Sequence, residues 1–377
     1  MSTDLILQPT DEQRMMVDTT IRILESESPL EAVRAAAEGS EPSSAKLRHK
    51  LGDVGCFGVL VDELRGGGSA SGNGVVDAAL VAAERGARLQ PGPYVGTSVT
   101  AHTLSRIGSQ AWHGVLGTLV SGHAAATWAV AGLNGHALKV CSEGDHLVLD
   151  GVAEAVQDAD ECDHLLVGVA SATGVVHVML GLPDPRVTLT RLGGIDITRR
   201  FFDVRVDRVA VRFGHTLAQG EAGRTLLDRQ IAVAAVLGAA EAVGAMDSDF
   251  RLAVEYAKTR IAFGRPIGSF QAVKHLLADT GLKLEMAKAL VADAAFAVGR
   301  ESEDSAVLAS MAKAFVGEKS IELAHNCFQV FGGIGYTWEH DHHLYMRRLA
   351  SEAQLFGSPA WHRRRVWDQA SNTPTHP

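Results

Sequence analysis

Two segments in the C-terminal half combine residue types that can bind a phosphorylated ligand. The first is Arg260-Ile-Ala-Phe-Gly-Arg-Pro-Ile-Gly-Ser-Phe-Gln-Ala-Val-Lys-His275, and the second is Gln329-Val-Phe-Gly-Gly-Ile-Gly-Tyr-Thr-Trp-Glu339. Arg260 carries a planar, permanently charged guanidinium, which suits phosphate oxygens. Gly332 and Gly333 have no side chains, so their backbone could approach a ligand closely. Taken singly, Arg260 could be a solvated arginine at a helix end and the glycine pair a helix C-cap, so the inference depends on their combination.

The elements that must position these segments change type twice along the chain. Residues 1–122 show apolar residues at helical spacings between glycine- and proline-rich loops, which predicts an N-terminal helical domain. Residues 123–216 contain short β-branched and alternating runs separated by turns, which predicts a small antiparallel β domain and argues against a Rossmann fold. Residues 217–377 return to long helical segments with broad apolar faces, and Ser269 is a plausible N-cap for the second of them. This pattern predicts a helical bundle.

The composition is that of an ordinary soluble enzyme. Apolar residues make up 46% and charged residues 21%, and the net charge of -9 argues against a nucleic-acid partner. We expect no membrane span or secretory signal, and therefore a cytoplasmic location. The four cysteines have no C-x-x-C spacing, so we expect buried reduced thiols. The run Glu339–His343 places its side chains at adjacent positions that would splay around a helix, so no metal site is expected.

In this order and spacing, the segments Tyr256–Gly264, Pro266–His275 and Phe328–Tyr336 resemble the acyl-CoA dehydrogenase family of flavoproteins. The order of the three predicted domains extends the resemblance over nearly the whole chain. It implies an α+β fold with an N-terminal helical domain, a central antiparallel β domain and a C-terminal four-helix bundle. It also implies an FAD-dependent oxidoreductase that dehydrogenates the α,β bond of a CoA thioester and passes electrons to an electron-transfer flavoprotein.

The resemblance also implies which residues serve the cofactor, here the adenine end of an FAD held mostly by a neighbouring subunit. Arg260 would bind the pyrophosphate, the glutamines would bind phosphate, ribose or adenine, and the phenylalanines would pack around this end. The matched positions are Arg260, Phe263, Phe270, Gln271, Gln329, Gly332, Gly333, Thr337 and Glu339.

The sequence departs from the family pattern at three places. The family's Thr-Glu-Pro segment beside the flavin ring is replaced by Ala126-Thr-Trp-Ala-Val-Ala131, and its Trp-x-Thr by Ala155-Val-Gln157. Its Glu-Gly-Thr segment, which supplies the catalytic base, is replaced by Phe356-Gly-Ser358, and the alternative base position is Ala234. Since neither phenylalanine nor alanine accepts a proton, the family's usual bases are absent.

One carboxylate, Glu241, lies inside the apolar run Val236–Gly244. A carboxylate in apolar surroundings holds its proton more tightly and moves towards the working range of a general base, so Glu241 is the candidate catalytic residue. A glutamate paired with an arginine at a subunit contact is the alternative interpretation. Ser358 and Glu352 are further residues that could approach the site.

Retention of the adenine half-site together with loss of the ring half-site predicts a subunit of an unequal α2β2 assembly. The resemblance points to the heterotetrameric acyl-CoA dehydrogenases that oxidise bulky substrates such as sterol side-chain CoA esters. Three alternatives stay open: a catalytically silent structural subunit, an independent homo-oligomer with a nonstandard base, and a flavin-dependent oxidase or monooxygenase. The acyl group stays undetermined, because pocket volume depends on helix offsets that one sequence does not reveal.

Overall fold

Helices dominate the first third of the fold. The computed structural model describes residues 5, 8–37, 44–130, 138–212 and 215–372. Helix α1 begins at a capping box, in which the Gln13 N–H donates to the Thr10 hydroxyl and the Thr10 N–H donates to the Gln13 side chain. The helices before the first strand are α1 (Asp11–Glu27), α2 (Leu30–Ala37), α3 (Ala45–Asp53), α4 (Gly74–Ala87), α5 (Tyr94–Ile107) and α6 (His113–Val120).

Seven strands follow and form two sheets that pack face to face over a core of valine and leucine. Their order is β1-β4-β5 in one sheet and β2-β3-β7-β6 in the other, and all neighbours are antiparallel except β1 and β4, which run parallel. The predicted antiparallel domain is confirmed, with one parallel pair that arises because the chain passes through the second sheet between β1 and β4. The strands are β1 (Ala126–Val130), β2 (Lys139–Glu143), β3 (His146–Gln157), β4 (His164–Ser171), β5 (Gly174–Gly181), β6 (Val187–Leu192) and β7 (Phe201–Arg212).

The C-terminal part is the predicted bundle of four helices, α7 to α10, with a further helix, α11, packed against α9. The predicted N-cap at Ser269 is wrong, because α8 begins after Phe270 and the Ser269 hydroxyl is buried without a hydrogen-bond partner. The elements are α7 (Gly220–Thr259), β8 (Ile261–Ala262), β9 (Arg265–Pro266), α8 (Gln271–Gly299), α9 (Ser305–Phe331), α10 (His342–Glu352) and α11 (Pro359–Asn372). The predicted α+β architecture is confirmed, while the domain bounds stay a prediction.

Helix α7 is the central element of the bundle, and its middle is buried on all sides. Alanine and glycine let its neighbours approach closely: a Cβ at Gly244 would lie 1.9 Å from the Ala83 carbonyl oxygen, and one at Gly86 of α4 would lie 1.9 Å from the Glu241 carbonyl oxygen. Among the described helices, α7 alone has the length and apolar composition of a membrane span. Because 94% of that stretch is buried inside the fold, it is a core helix here.

Cysteine placement agrees with the expectation at three positions. Cys56, Cys162 and Cys327 are buried thiols, whereas Cys141 is exposed. The difference follows from the position of Cys141 on β2, an edge strand with most of its side chains in solvent.

The close α4–α7 contact predicts the effect of adding a single methyl group. We expect Gly244→Ala to lower the free energy of unfolding by about 2–3 kcal/mol, because the new Cβ must displace backbone rather than a flexible side chain. Urea denaturation measures the change. Gly114→Ala on α6 is the matched control: a Cβ there meets no atom within 4 Å, so a gain of up to about 1 kcal/mol is expected. Equal effects of the two substitutions would contradict the packing described.

Candidate cofactor site

The two motifs that the sequence singled out lie at the same end of the bundle. Helices α7 and α9 run in the same direction with α8 returning between them, so the ends of α7 and α9 are neighbours. The ring of Tyr256, near the end of α7, contacts the ring of Phe331, at the end of α9, with 5.5 Å between centroids. Arg260 follows α7 directly, and Gly332 follows α9 directly. We call Arg260, Phe263, Gly332 and Gly333 the exposed corner.

A tight hairpin presents the first part of the exposed corner. Phe263 and Gly264 join β8 to β9 with φ angles of 52° and 76°, as two-residue hairpin turns require. A positive φ is uncommon for a bulky residue, and the Phe263 ring is also 94% exposed. The Arg260 guanidinium has no hydrogen-bond or ion-pair partner within the described ranges. An unpaired charge beside an exposed aromatic ring fits an anionic, partly apolar ligand that comes from outside this chain.

The second part of the exposed corner is a glycine turn. Gly332 has φ 62°, which favours glycine, whereas Gly333 needs no positive φ. A Cβ at Gly333 would meet no described atom within 4 Å, so packing inside this chain does not require glycine there. The missing side chain leaves backbone open to an external ligand.

The remaining predicted contacts lie around this corner. Gln271 begins α8 and Gln329 lies in the last turn of α9, and both are exposed. The Phe270 ring meets Phe263 edge to face at 6.1 Å between centroids and lies 4.1 Å below the Arg265 guanidinium. In the turn itself, the Thr337 hydroxyl donates to the Ile334 carbonyl at 3.1 Å. The pKa of exposed Glu339 is lowered by its own backbone N–H and by the nearby Thr337 side chain.

The three departures from the family pattern converge on one small cavity. Trp128 of β1, the end of β3 from Ala155 to Gln157, and Phe356 after α10 line a space of about 20 Å³. Such a space holds about one water molecule, which is far less than a flavin ring needs. The Trp128 and Phe356 rings lie 6.2 Å apart at an interplanar angle of 29°. We call this site the filled cavity.

Hydrogen bonds hold the aromatic pair in the filled cavity. The Trp128 indole N–H donates to the Gln230 side-chain oxygen at 3.2 Å, and the Gln230 amide donates to the Thr103 hydroxyl at 3.0 Å. Phe356 packs on Gly238 of α7, where a Cβ would lie 2.9 Å from its ring. The Phe356 carbonyl lies 3.0 Å from His362 Nε2, and burial lowers the pKa of that histidine to about 3. Because its buried indole N–H is satisfied, Trp128 is part of the stable core.

Glu241 lies in surroundings that differ from those expected from its sequence neighbours. Its side chain is 2% exposed, but Oε2 lies 2.7 Å from the Arg199 guanidinium and Oε1 lies 3.8 Å from Arg85. The same Arg199 also bonds Glu352, whose pKa is raised by burial to about 7. The arginine partners thus come from this chain rather than from a subunit contact. Sequence reasoning missed them because Arg85 and Arg199 lie on distant segments.

The histidines after the glycine turn do not converge. His342 is buried against Asp249, whereas His343 stacks on Trp338 at 4.7 Å between centroids. Within the described ranges, no group of three His, Cys, Asp or Glu side chains could hold a metal ion. Sequence reasoning missed the contact between His342 and Asp249, although an aspartate inside the apolar helix α7 was a signal.

Comparison with known proteins gives the same family along the chain. The family model for the acyl-CoA dehydrogenase N-terminal domain matches residues 10–122, and the model for the C-terminal domain matches residues 221–370. The acyl-CoA dehydrogenase IpdE2 of Mycobacterium tuberculosis is 31% identical over 373 residues, covering 98% of this chain and 100% of that protein. IpdE2 of Mycolicibacterium smegmatis is 30% identical over 362 residues, covering 95% and 98%.

Two solved structures share the fold. Butyryl-CoA dehydrogenase from Megasphaera elsdenii superposes with a TM-score of 0.87 at 20% identity, covering 97% of this chain and 100% of that chain. A chain of the ChsE4-ChsE5 complex from Mycobacterium tuberculosis superposes with a TM-score of 0.86 at 23% identity, covering 98% and 99%.

The arginine contacts of Glu241 predict a structural effect of its removal. We expect Glu241→Gln to lower the free energy of unfolding by about 3–5 kcal/mol, because it leaves buried arginine charge uncompensated. Turnover per bound flavin should stay unchanged. Glu255→Gln on the same helix is the control, since its exposed pair with Lys258 contributes less than about 1 kcal/mol. Loss of turnover with unchanged unfolding in urea would instead identify Glu241 as the catalytic base.

Proposed function

Because the chain belongs to the acyl-CoA dehydrogenase family of FAD-dependent oxidoreductases, we propose that it is one subunit of an unequal α2β2 acyl-CoA dehydrogenase. The observation that carries the proposal is the contrast between two sites in one chain. The exposed corner is open and has an arginine without a partner among the described residues, whereas Trp128 and Phe356 leave only about 20 Å³ in the filled cavity. Such a chain can complete a cofactor site in a partner but has no room for a flavin ring of its own.

The residues of the exposed corner and their neighbours would together hold the adenine half of FAD. Arg260 would bind the pyrophosphate through its guanidinium, and the Gly333 backbone would approach the nucleotide. Gln271 and Gln329 would hydrogen-bond ribose or adenine, while Phe263 and Phe270 would cover the nucleotide and exclude water. Thr337 and Glu339 lie next to them in the same turn. When bound, FAD accepts the hydride that leaves the β carbon of the thioester.

The chemistry on the acyl group then belongs to the partner subunit. In this chain the two family positions for the base are Phe356 and Ala234, and Glu241 faces two arginines. The partner would supply both the base that removes the α proton and the pocket for the acyl chain. This chain therefore supports α,β-dehydrogenation by completing and shielding the cofactor site.

The names given to solved structures with the same fold support a proposal for the substrate class and the electron acceptor. One solved structure of the same fold is described as a steroid acyl-CoA dehydrogenase, and another is a complex of two different chains. On this basis we propose a bulky acyl-CoA such as a steroid side-chain thioester, an electron-transfer flavoprotein as acceptor, and a cytoplasmic location. The small volume of the filled cavity supports the assignment of the bulky acyl group to the partner.

Removal of the Arg260 charge tests the proposal. We expect Arg260→Ala to raise the Kd of FAD for the assembly at least about tenfold, because a charge-assisted hydrogen bond contributes about 1.5–3 kcal/mol. The tagged chain is isolated with its natural partners, and FAD is removed and titrated back by fluorescence. Arg224→Ala, at the other end of α7, is the control; its exposed pair with Glu221 should not affect FAD. Stoichiometric FAD with an unchanged Kd in Arg260→Ala would contradict the proposal.

A further inference from the structure

A buried pair of polar side chains lies directly under the glycine turn of the exposed corner. His342 is the first residue of α10, and its Nδ1 lies 2.7 Å from the Asp249 Oδ1 of α7. Both side chains are completely buried. The pair therefore joins the middle of the bundle to the segment that carries Gly332, Gly333, Thr337 and Glu339.

The turn is folded around the His342 imidazole. A Cβ at Gly335 would lie 3.3 Å from the imidazole Cδ2, and the rings of Phe331 and Phe328 lie 5.0 and 6.0 Å from it between centroids. The His342 backbone N–H donates to the His340 ring at 3.1 Å. The imidazole thus packs against the Gly335 backbone without room for a side chain between them, and Gly333 lies two residues away in the same short helical turn.

Stability alone does not explain a polar pair at this position. A buried charged or polar pair seldom stabilises a fold more than apolar side chains of the same shape, because both groups lose their hydration. Burial accordingly raises the pKa of Asp249, against the opposing effect of its hydrogen bond with His342. What the pair adds is direction. The hydrogen bond to Asp249 selects one orientation of the imidazole ring, whereas an apolar ring at this position would make no hydrogen bond.

We propose that Asp249 and His342 are positioning residues for the exposed corner: their hydrogen bond fixes the imidazole on which the turn Gly332–Tyr336 rests. The turn then presents the backbone of Gly332 and Gly333 in the geometry that receives the adenine half of FAD. Neither side chain touches the cofactor. The identity of the ligand rests on the proposed function, whereas the support of the turn rests on the contacts within this chain.

Two variants separate orientation from stability. His342→Phe keeps a ring but leaves the buried Asp249 carboxylate with only the Cys327 thiol as a partner, so it should lower Tm and weaken FAD binding. The double variant Asp249→Leu with His342→Phe replaces both partners by apolar side chains. We expect it to recover the wild-type Tm while the Kd of FAD stays about tenfold above wild type. His113→Phe on α6, where the histidine is exposed, is the control and should change neither value.

The measurements use the purified assembly with FAD, ADP and FMN as separate ligands. The double variant should weaken FAD and ADP but leave FMN binding unchanged. The inference would be overturned if the double variant recovered both Tm and FAD affinity, or if it lost affinity for ADP and FMN equally. If the double variant does not assemble, Asp249→Asn serves instead: it keeps the shape but replaces the carboxylate acceptor by a weaker neutral one, so the imidazole is held less firmly and binding of ADP should weaken more than binding of FMN. Equal effects on the two ligands would again overturn it.

Arg260→Ala measured in parallel distinguishes two kinds of failure. If Arg260→Ala also leaves ADP binding unchanged, the proposed function itself fails. If Arg260→Ala weakens ADP binding and the double variant does not, only the positioning role of Asp249 and His342 fails.

Discussion

The close packing of α7 against its neighbours is the constraint on which both sites depend. Without the side-chain-free contacts at Gly86 and Gly244, α4 and α7 could not approach to backbone distance. Along its length, α7 supplies contacts to both sites. Gln230 accepts a hydrogen bond from Trp128, and Gly238 packs on Phe356 in the filled cavity. Asp249 hydrogen-bonds His342, and Tyr256 contacts Phe331 next to the exposed corner. Arg260 then follows at its C-terminus. One helix thus sets the filled cavity and the exposed corner at a fixed separation.

The two sites differ in what completes them. In the filled cavity, two aromatic rings pack together and the indole N–H is paired, so the site is satisfied by the chain itself. In the exposed corner, a guanidinium lacks a partner within the described ranges, and a phenylalanine ring with positive φ faces solvent. Strain and exposure of this kind are retained where a ligand or partner compensates for them. The contrast supports the proposal that a chain of this sequence contributes one part of a flavin site.

The sequence predicted the element types and the exposed corner because both depend on local spacing. Arg260 and Gly332 each follow a long apolar helix, and the ends of these two helices are in contact through Tyr256 and Phe331. The contents of the filled cavity were not predictable in the same way. Trp128 and Phe356 are far apart in the chain, so each was interpreted only as the loss of a family residue. In the structure the two rings contact each other, which distant sequence positions alone do not indicate.

Contacts between residues that are far apart in the chain also account for the other differences between the sequence-based predictions and the structure. Glu241 lies among apolar residues in sequence but between Arg85 and Arg199 in space, and helical periodicity does not indicate which distant charge will face a given residue. The parallel pairing of β1 with β4 is likewise a matter of chain path rather than of strand pattern. The position of Ser269, one residue too early to cap α8, shows that helix ends depend on local hydrogen-bond geometry.

The flavin content of the intact assembly tests the central claim most directly. The tagged chain is isolated with its natural partners, and FAD is counted by absorbance against the amount of each polypeptide. The account predicts one FAD for each pair of unlike dehydrogenase subunits and none bound by this chain alone. One FAD per copy of this chain in a homo-oligomer would contradict it, because the filled cavity would then have to admit a flavin ring.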